Sequence, residues 1–170
     1  MAENEQPQNH YDRNCKISHH LRPSRVLRRI REGGVASVFK VNSSCPRIVE
    51  MVAAAGFDCI WLGTEHVPSS FVGLENQVRA AKLYDVDTII RVERGSYSAY
   101  IKGFEVDACG IMVPHVMGVE DARDVVRKTK FMPLGRRACD GGNADAKYCR
   151  VNFAEYLEVA NRERFVVHQI

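Results

Sequence analysis

No stretch of this 170-residue sequence approaches the roughly 20 consecutive apolar residues needed to span a bilayer, so a helical membrane protein is not expected. The N-terminus carries Glu3 and Glu5 and has no apolar core, so it does not read as a secretory signal. The six cysteines (Cys15, Cys45, Cys59, Cys109, Cys139 and Cys149) form no C-x-x-C pair. Several lie in apolar runs, which predicts reduced thiols used mostly as core filler and a cytoplasmic protein. A dominant charge is missing too: 24 Lys and Arg face 21 Asp and Glu. The net charge of +3 is too small to argue for nucleic acid. Lastly, the turn Lys40-Val41-Asn42-Ser43-Ser44-Cys45-Pro46 contains no glycine. A doubly wound dinucleotide fold would place G-x-G-x-x-G there.

What is present is globular: 45% hydrophobic and 26% charged residues, in one domain's length. Residues 1–20 are polar and aperiodic and read as a mobile lead-in, leaving 21–170 as the folded part. Lys16, Arg22, Arg25, Arg28, Arg29 and Arg31 cluster at its start. They read as the solvated face of a short helix capped by Ser24 and stopped at Gly33-Gly34, rather than as a phosphate-binding arm.

A repeat follows. Strands are expected at 35–39, 59–62, 88–92, 110–114 and from 165 onward. Helices between them carry the apolar stripes Ile48, Val49, Val52, Ala53, then Leu74, Val78, Ala81, Leu83, then a helix over 98–107, then Ala122, Val125, Val126. Ser43-Ser44-Cys45-Pro46 supplies a helix cap and first turn, and a last helix spans about 152–164. The segment 131–148, rich in glycine and polar residues, breaks the rhythm, as functional or disordered loops do. Apolar strands without alternation imply a parallel sheet covered by helices. The expected fold is therefore α/β, a (β/α)8 TIM barrel with only about the first five strands present. The chain stops inside the fifth, so we expect the N-terminal portion of a longer polypeptide.

In such a barrel, reactive groups project from the C-terminal ends of the strands. Those ends read Lys40 to Ser43, Thr64-Glu65-His66, Arg91-Val92-Glu93, Pro114-His115 and His168-Gln169. Singly each has a plain structural explanation, but together they make a polar ring that a core does not need.

Pro46-Arg47-Ile48-Val49-Glu50, Ala55-Gly56-Phe57-Asp58, Glu65-His66-Val67-Pro68, Ile90-Arg91-Val92, Gly110-Ile111-Met112-Val113-Pro114, Lys130-Phe131-Met132-Pro133-Leu134-Gly135-Arg136-Arg137 and Gln169-Ile170, in this order, resemble the HpcH/HpaI aldolases. These are metal-dependent pyruvate aldolases such as 4-hydroxy-2-oxoheptanedioate aldolase and 2-dehydro-3-deoxyglucarate aldolase. The resemblance implies a carbon–carbon lyase that splits a 4-hydroxy-2-oxo acid into pyruvate and an aldehyde. It implies His66 as the catalytic acid/base, Arg91 at the pyruvate oxygens, Gln169 lining the substrate site, and a divalent cation (Mg2+, Mn2+ or Co2+). It also implies a homo-oligomer, trimer or hexamer.

The metal-binding glutamate that it implies would follow Ile170, so no residue of this chain is assigned as a metal ligand. Gly63 stands where the family carries an aspartate, Ala138 replaces a glycine, and Phe104-Glu105-Val106-Asp107-Ala108 replaces Leu-Asp-x-Gly-Ala. These departures predict a divergent member. The alternative is a non-catalytic or weakened protein that binds a 2-oxo acid or metal.

Overall fold

The computed structural model describes residues 21–170; the lead-in expected over 1–20, with Lys16 of the basic cluster, lies outside the described residues. Five strands form one parallel sheet: β1 Val38–Lys40, β2 Cys59–Gly63, β3 Asp87–Arg91, β4 Gly110–Val113 and β5 Phe165–His168. Their spatial order is β1-β2-β3-β4-β5, each strand beside its sequence neighbour. A doubly wound sheet reverses its order at a switch point. This one does not, which makes it a partial barrel.

Strand alternation splits the sheet into two faces. Ile60, Leu62, Ile90, Ile111 and Val113 turn toward the helices, where they are buried with Val49, Leu74, Val78, Tyr100, Phe104 and Val125 in the main core. Cys59, Ile89, Trp61, Met112, Phe165 and Val167 form a second cluster on the opposite face, with Val26. The register Gly63↔Arg91↔Met112↔Val167 sets one cross-strand row of that inner face.

Six helices flank the sheet among the described residues: α1 Arg25–Arg31, α2 Pro46–Ala54, α3 Phe71–Lys82, α4 Tyr97–Glu105, α5 Val119–Thr129 and α6 Phe153–Glu163. Ser24, Ser70, Ser96 and Asn152 cap α1, α3, α4 and α6 through side-chain oxygens. The cap expected before α2 is different: Cys45 occupies it with no side-chain bond, and Pro46 begins the helix. β1 is shorter than the expected 35–39, and all three of its residues are exposed. An edge strand paired on one side only has little burial to fix its ends.

The arginines around α1 are not simply solvated. Arg22 pairs with Asp85 and Asp87, Arg25 and Arg29 with Asp58, and Arg31 with Glu163. Asp58, Asp87 and Glu163 lie at or just before the N-terminal ends of β2, β3 and β5. These pairs therefore seat α1 on the N-terminal end of the sheet. Ser24 Oγ and the Val26 amide also donate to Asp87 Oδ2, at 2.7 and 2.9 Å.

The segment 131–152 is ordered by a second buried network. Asp145 accepts from Arg164 Nε at 2.8 Å, Arg137 Nη2 at 3.1 Å and the Tyr156 hydroxyl at 2.7 Å. Asp107 accepts from Arg164 and Lys147 and pairs closely with Lys82. Burial acts to lower the Arg164 pKa, but Asp145 foremost, then Cys109 and Asp107, outweigh it and raise it. A segment that reads as functional or disordered from its composition is thus held in place by buried ion pairs.

The cysteine expectation also needs correction. Cys59 and Cys109 are buried, but Cys45, Cys139 and Cys149 are exposed.

Candidate active site at the C-terminal strand ends

β2 delivers Gly63, then Thr64, whose amide donates to the Arg91 carbonyl at 2.9 Å. This extends the β2–β3 ladder by one step and fixes where the next side chains leave the sheet. Glu65 follows, and it is the centre of the site. Its Oε2 lies 3.0 Å from Arg91 Nε and 3.7 Å from His66 Nε2, and its Oε1 lies 3.7 Å from His115 Nε2. One carboxylate gathers a guanidinium from β3, an imidazole from its own loop and an imidazole from the β4–α5 loop.

Arg91 is only 9% exposed, and its Cζ stands 5.5 Å from the centroid of Trp61. Lys40, at the end of β1, places Nζ 5.0 Å from the same ring. Two cations on one indole face a single carboxylate, so this end of the sheet favours an anionic guest. Arg91 Nε and Glu65 Oε2 are close enough for an ion pair but lack the alignment of a hydrogen bond, and both atoms are buried. Their hydrogen-bonding capacity is unused, as is that of the buried Trp61 Nε1. A buried polar atom without a partner is costly, and a ligand that supplies one is correspondingly favoured.

The structure brings His66 and Arg91 together through Glu65. The His66 side chain is 70% exposed and so free to meet substrate. Gln169 lies just past β5, exposed, its amide donating to Val113 O and its carbonyl accepting from Val116 N, both at 3.0 Å. It sits at the same end of the sheet, beside the loop that carries His115. Glu65 and His115 were visible at strand ends in the sequence, but without roles. Their convergence depends on register between β2 and β4, which are not neighbours in the sheet.

Gly63 has room beside it. A Cβ built there would meet Arg91 O at 3.8 Å and Arg91 Cβ at 4.0 Å, ordinary contact distances. Glycine is therefore not required by the space around its Cα, which admits a Cβ.

Among the described residues no group of three or more His, Cys, Asp or Glu side chains is placed to hold an ion.

No family model matches the chain. A 2-keto-3-deoxy-L-rhamnonate aldolase of Klebsiella pneumoniae is 30% identical over 131 residues, 76% of this chain and 48% of that protein. The enzyme of the same name from Salmonella gallinarum is 28% identical over 142 residues, 83% of this chain and 52% of that protein. In structure, an HpcH/HpaI aldolase from Desulfitobacterium hafniense superposes with a TM-score of 0.76 at 29% identity, covering 85% of this chain and 56% of that one. The chain belongs with the HpcH/HpaI aldolases over the part of them that it spans. It spans about half the length of the curated relatives it matches. A citrate synthase also superposes, with a TM-score of 0.74 at 26% identity, over 84% of this chain and 54% of that one. The partial barrel of this HpcH/HpaI chain thus has its polar ring at the end where barrels of this class place their chemistry.

Proposed function

We propose that this protein is a cytoplasmic carbon–carbon lyase that cleaves a 4-hydroxy-2-oxo acid to pyruvate and an aldehyde. The observation that carries the reading is Arg91: a nearly buried guanidinium at a strand end, paired with Glu65, beside an exposed imidazole.

The chemistry follows from the groups. Arg91 holds the substrate carboxylate and C2 oxygen with a permanent charge and a fixed fork of donors. His66 removes the proton from the C4 hydroxyl, imidazole being the side chain suited to proton transfer at neutral pH. The C4–O bond becomes a carbonyl, the C3–C4 bond breaks, and its electron pair passes to the C2 oxygen. The result is a pyruvate enolate, whose charge Arg91 stabilises. Protonation at C3 completes the pyruvate. The cofactor implied by the family is a divalent cation, Mg2+, Mn2+ or Co2+, whose ligands are not among these residues. A homo-oligomer, trimer or hexamer, is proposed on the same ground.

The test is pyruvate release from a series of 4-hydroxy-2-oxo acids by the natively expressed protein with Mg2+ or Mn2+. His66→Ala is expected to slow it about 10²- to 10⁴-fold. An inactive wild type, or an unaffected variant, refutes the lyase reading. Gly63 supports a second reading, a protein that keeps the 2-oxo acid pocket without turnover. Pyruvate binding with no cleavage of any substrate would favour that one.

A further inference from the structure

Retro-aldol cleavage moves two protons at two different atoms: one leaves the C4 hydroxyl, and another arrives at C3 of the enolate. The site holds two imidazoles on one carboxylate, His66 against Glu65 Oε2 and His115 against Oε1, each at 3.7 Å.

His115 is not placed there by packing, since its side chain is 74% exposed. Its backbone has φ of +54°, the left-handed region that a non-glycine residue adopts at some cost. Just beyond it, Val116 N donates to Gln169 O and Met117 N donates to Asp121 Oδ2, both at 3.0 Å. The loop is thereby tied to β5 and to the first turn of α5. Such a conformation persists where its surroundings impose it, and such positions concentrate at functional sites.

We propose that His115 is a second proton carrier of this site, held by Glu65 to protonate C3 of the enolate while His66 serves the C4 hydroxyl. The proposal rests on the lyase reading above. The protonated His115, its Nε2 facing Glu65 Oε1, gives its Nδ1 proton to C3, forming the methyl group of pyruvate, and regains a proton from water. His66 releases to water the proton it took, so the cycle consumes none. Glu65 is the positioning residue for both rings.

Two rates separate the roles: the first-turnover burst of aldehyde from a 4-hydroxy-2-oxo acid, and deuterium incorporation at C3 of pyruvate in D2O followed by proton NMR. In the natively expressed protein, His115→Gln is expected to slow C3 exchange, and steady-state turnover with it, about 100-fold while the first-turnover burst of aldehyde persists, whereas His66→Ala slows the burst itself about 10²- to 10⁴-fold. Glu65→Gln is expected to slow both. Because residue 115 is exposed, the His115→Gln protein should unfold at the wild-type temperature. Unchanged C3 exchange in His115→Gln overturns the proposal and leaves the lyase reading intact. Loss of the first-turnover aldehyde burst together with C3 exchange also overturns it, marking only a disturbed site. A wild type with neither rate overturns the lyase reading, and this proposal with it.

Discussion

Replacing Asp145 by asparagine tests whether the buried ion-pair network holds the segment 131–152 in place. Asp145 is fully buried, and its two main partners are nearly so: the side chains of Arg164 and Arg137 are 2% and 3% exposed. The surrounding network has two carboxylates, Asp145 and Asp107, against four cations, Arg164, Arg137, Lys82 and Lys147. The substitution would leave one carboxylate for all four. Arg137 also lies 4.6 Å from the Phe131 ring and 5.1 Å from that of Phe104, but such contacts contribute roughly 0.5–2 kcal/mol and do not neutralise charge. Removing one partner of a buried ion pair costs about 3–5 kcal/mol. At about 2–4 °C per kcal/mol for a domain of this size, the thermal midpoint should fall by about 6–20 °C. Circular dichroism melting of the natively expressed protein measures it. A fall under about 2 °C would refute the reasoning.

Three further outcomes follow from the same structure. The Ser37 backbone amide, donating to Asp58, chiefly holds the buried Asp58 carboxyl down to about 2 against the effect of burial, with Ser37 Oγ, Arg25 and Arg29 contributing. A depressed folded pKa gives stability that is present above the unfolded value and lost as pH falls, here about 2 kcal/mol between roughly pH 5 and pH 2. Asp87, Asp107 and Glu163 are shifted in the same direction, so urea unfolding midpoints should drop across that window and not between pH 6 and 8. Gly63→Asp should fold normally, because a Cβ there meets only ordinary contacts, and raise pyruvate release about tenfold or more; an unchanged rate would show that the missing carboxylate is not limiting. Burial pushes the Cys109 thiol up to about 12, so mass spectrometry after native alkylation should find Cys45, Cys139 and Cys149 modified and Cys109 spared.

Much of the fold was legible because it is written locally. The run Cys59–Leu62 ends at a glycine, Ser24 caps α1, and Val125 lies on the buried stripe expected of α5. β1 was misplaced because its pattern met no second partner strand to define it. The ion pairs of Arg22, Arg25 and Arg31 reach across 65, 33 and 132 residues of sequence, where no local pattern can show them. The same limit explains the loop: Asp145 reads as one polar residue among glycines until Arg164, 19 positions on, is folded against it. At the site, His66, Arg91 and Gln169 could be named from strand ends and family resemblance. Glu65 as the group joining His66, Arg91 and His115 could not, since it depends on how far apart non-adjacent strands sit.

The central claim is that Arg91 receives a 2-oxo acid at the C-terminal end of the sheet. Calorimetric titration of the natively expressed protein with pyruvate, wild type against Arg91→Met, tests it most directly. Hydrogen bonds to a charged group contribute about 1.5–3 kcal/mol, which predicts pyruvate bound about 10- to 150-fold more weakly by the variant. Equal affinity in the two proteins, or no pyruvate binding by wild type, would contradict the account.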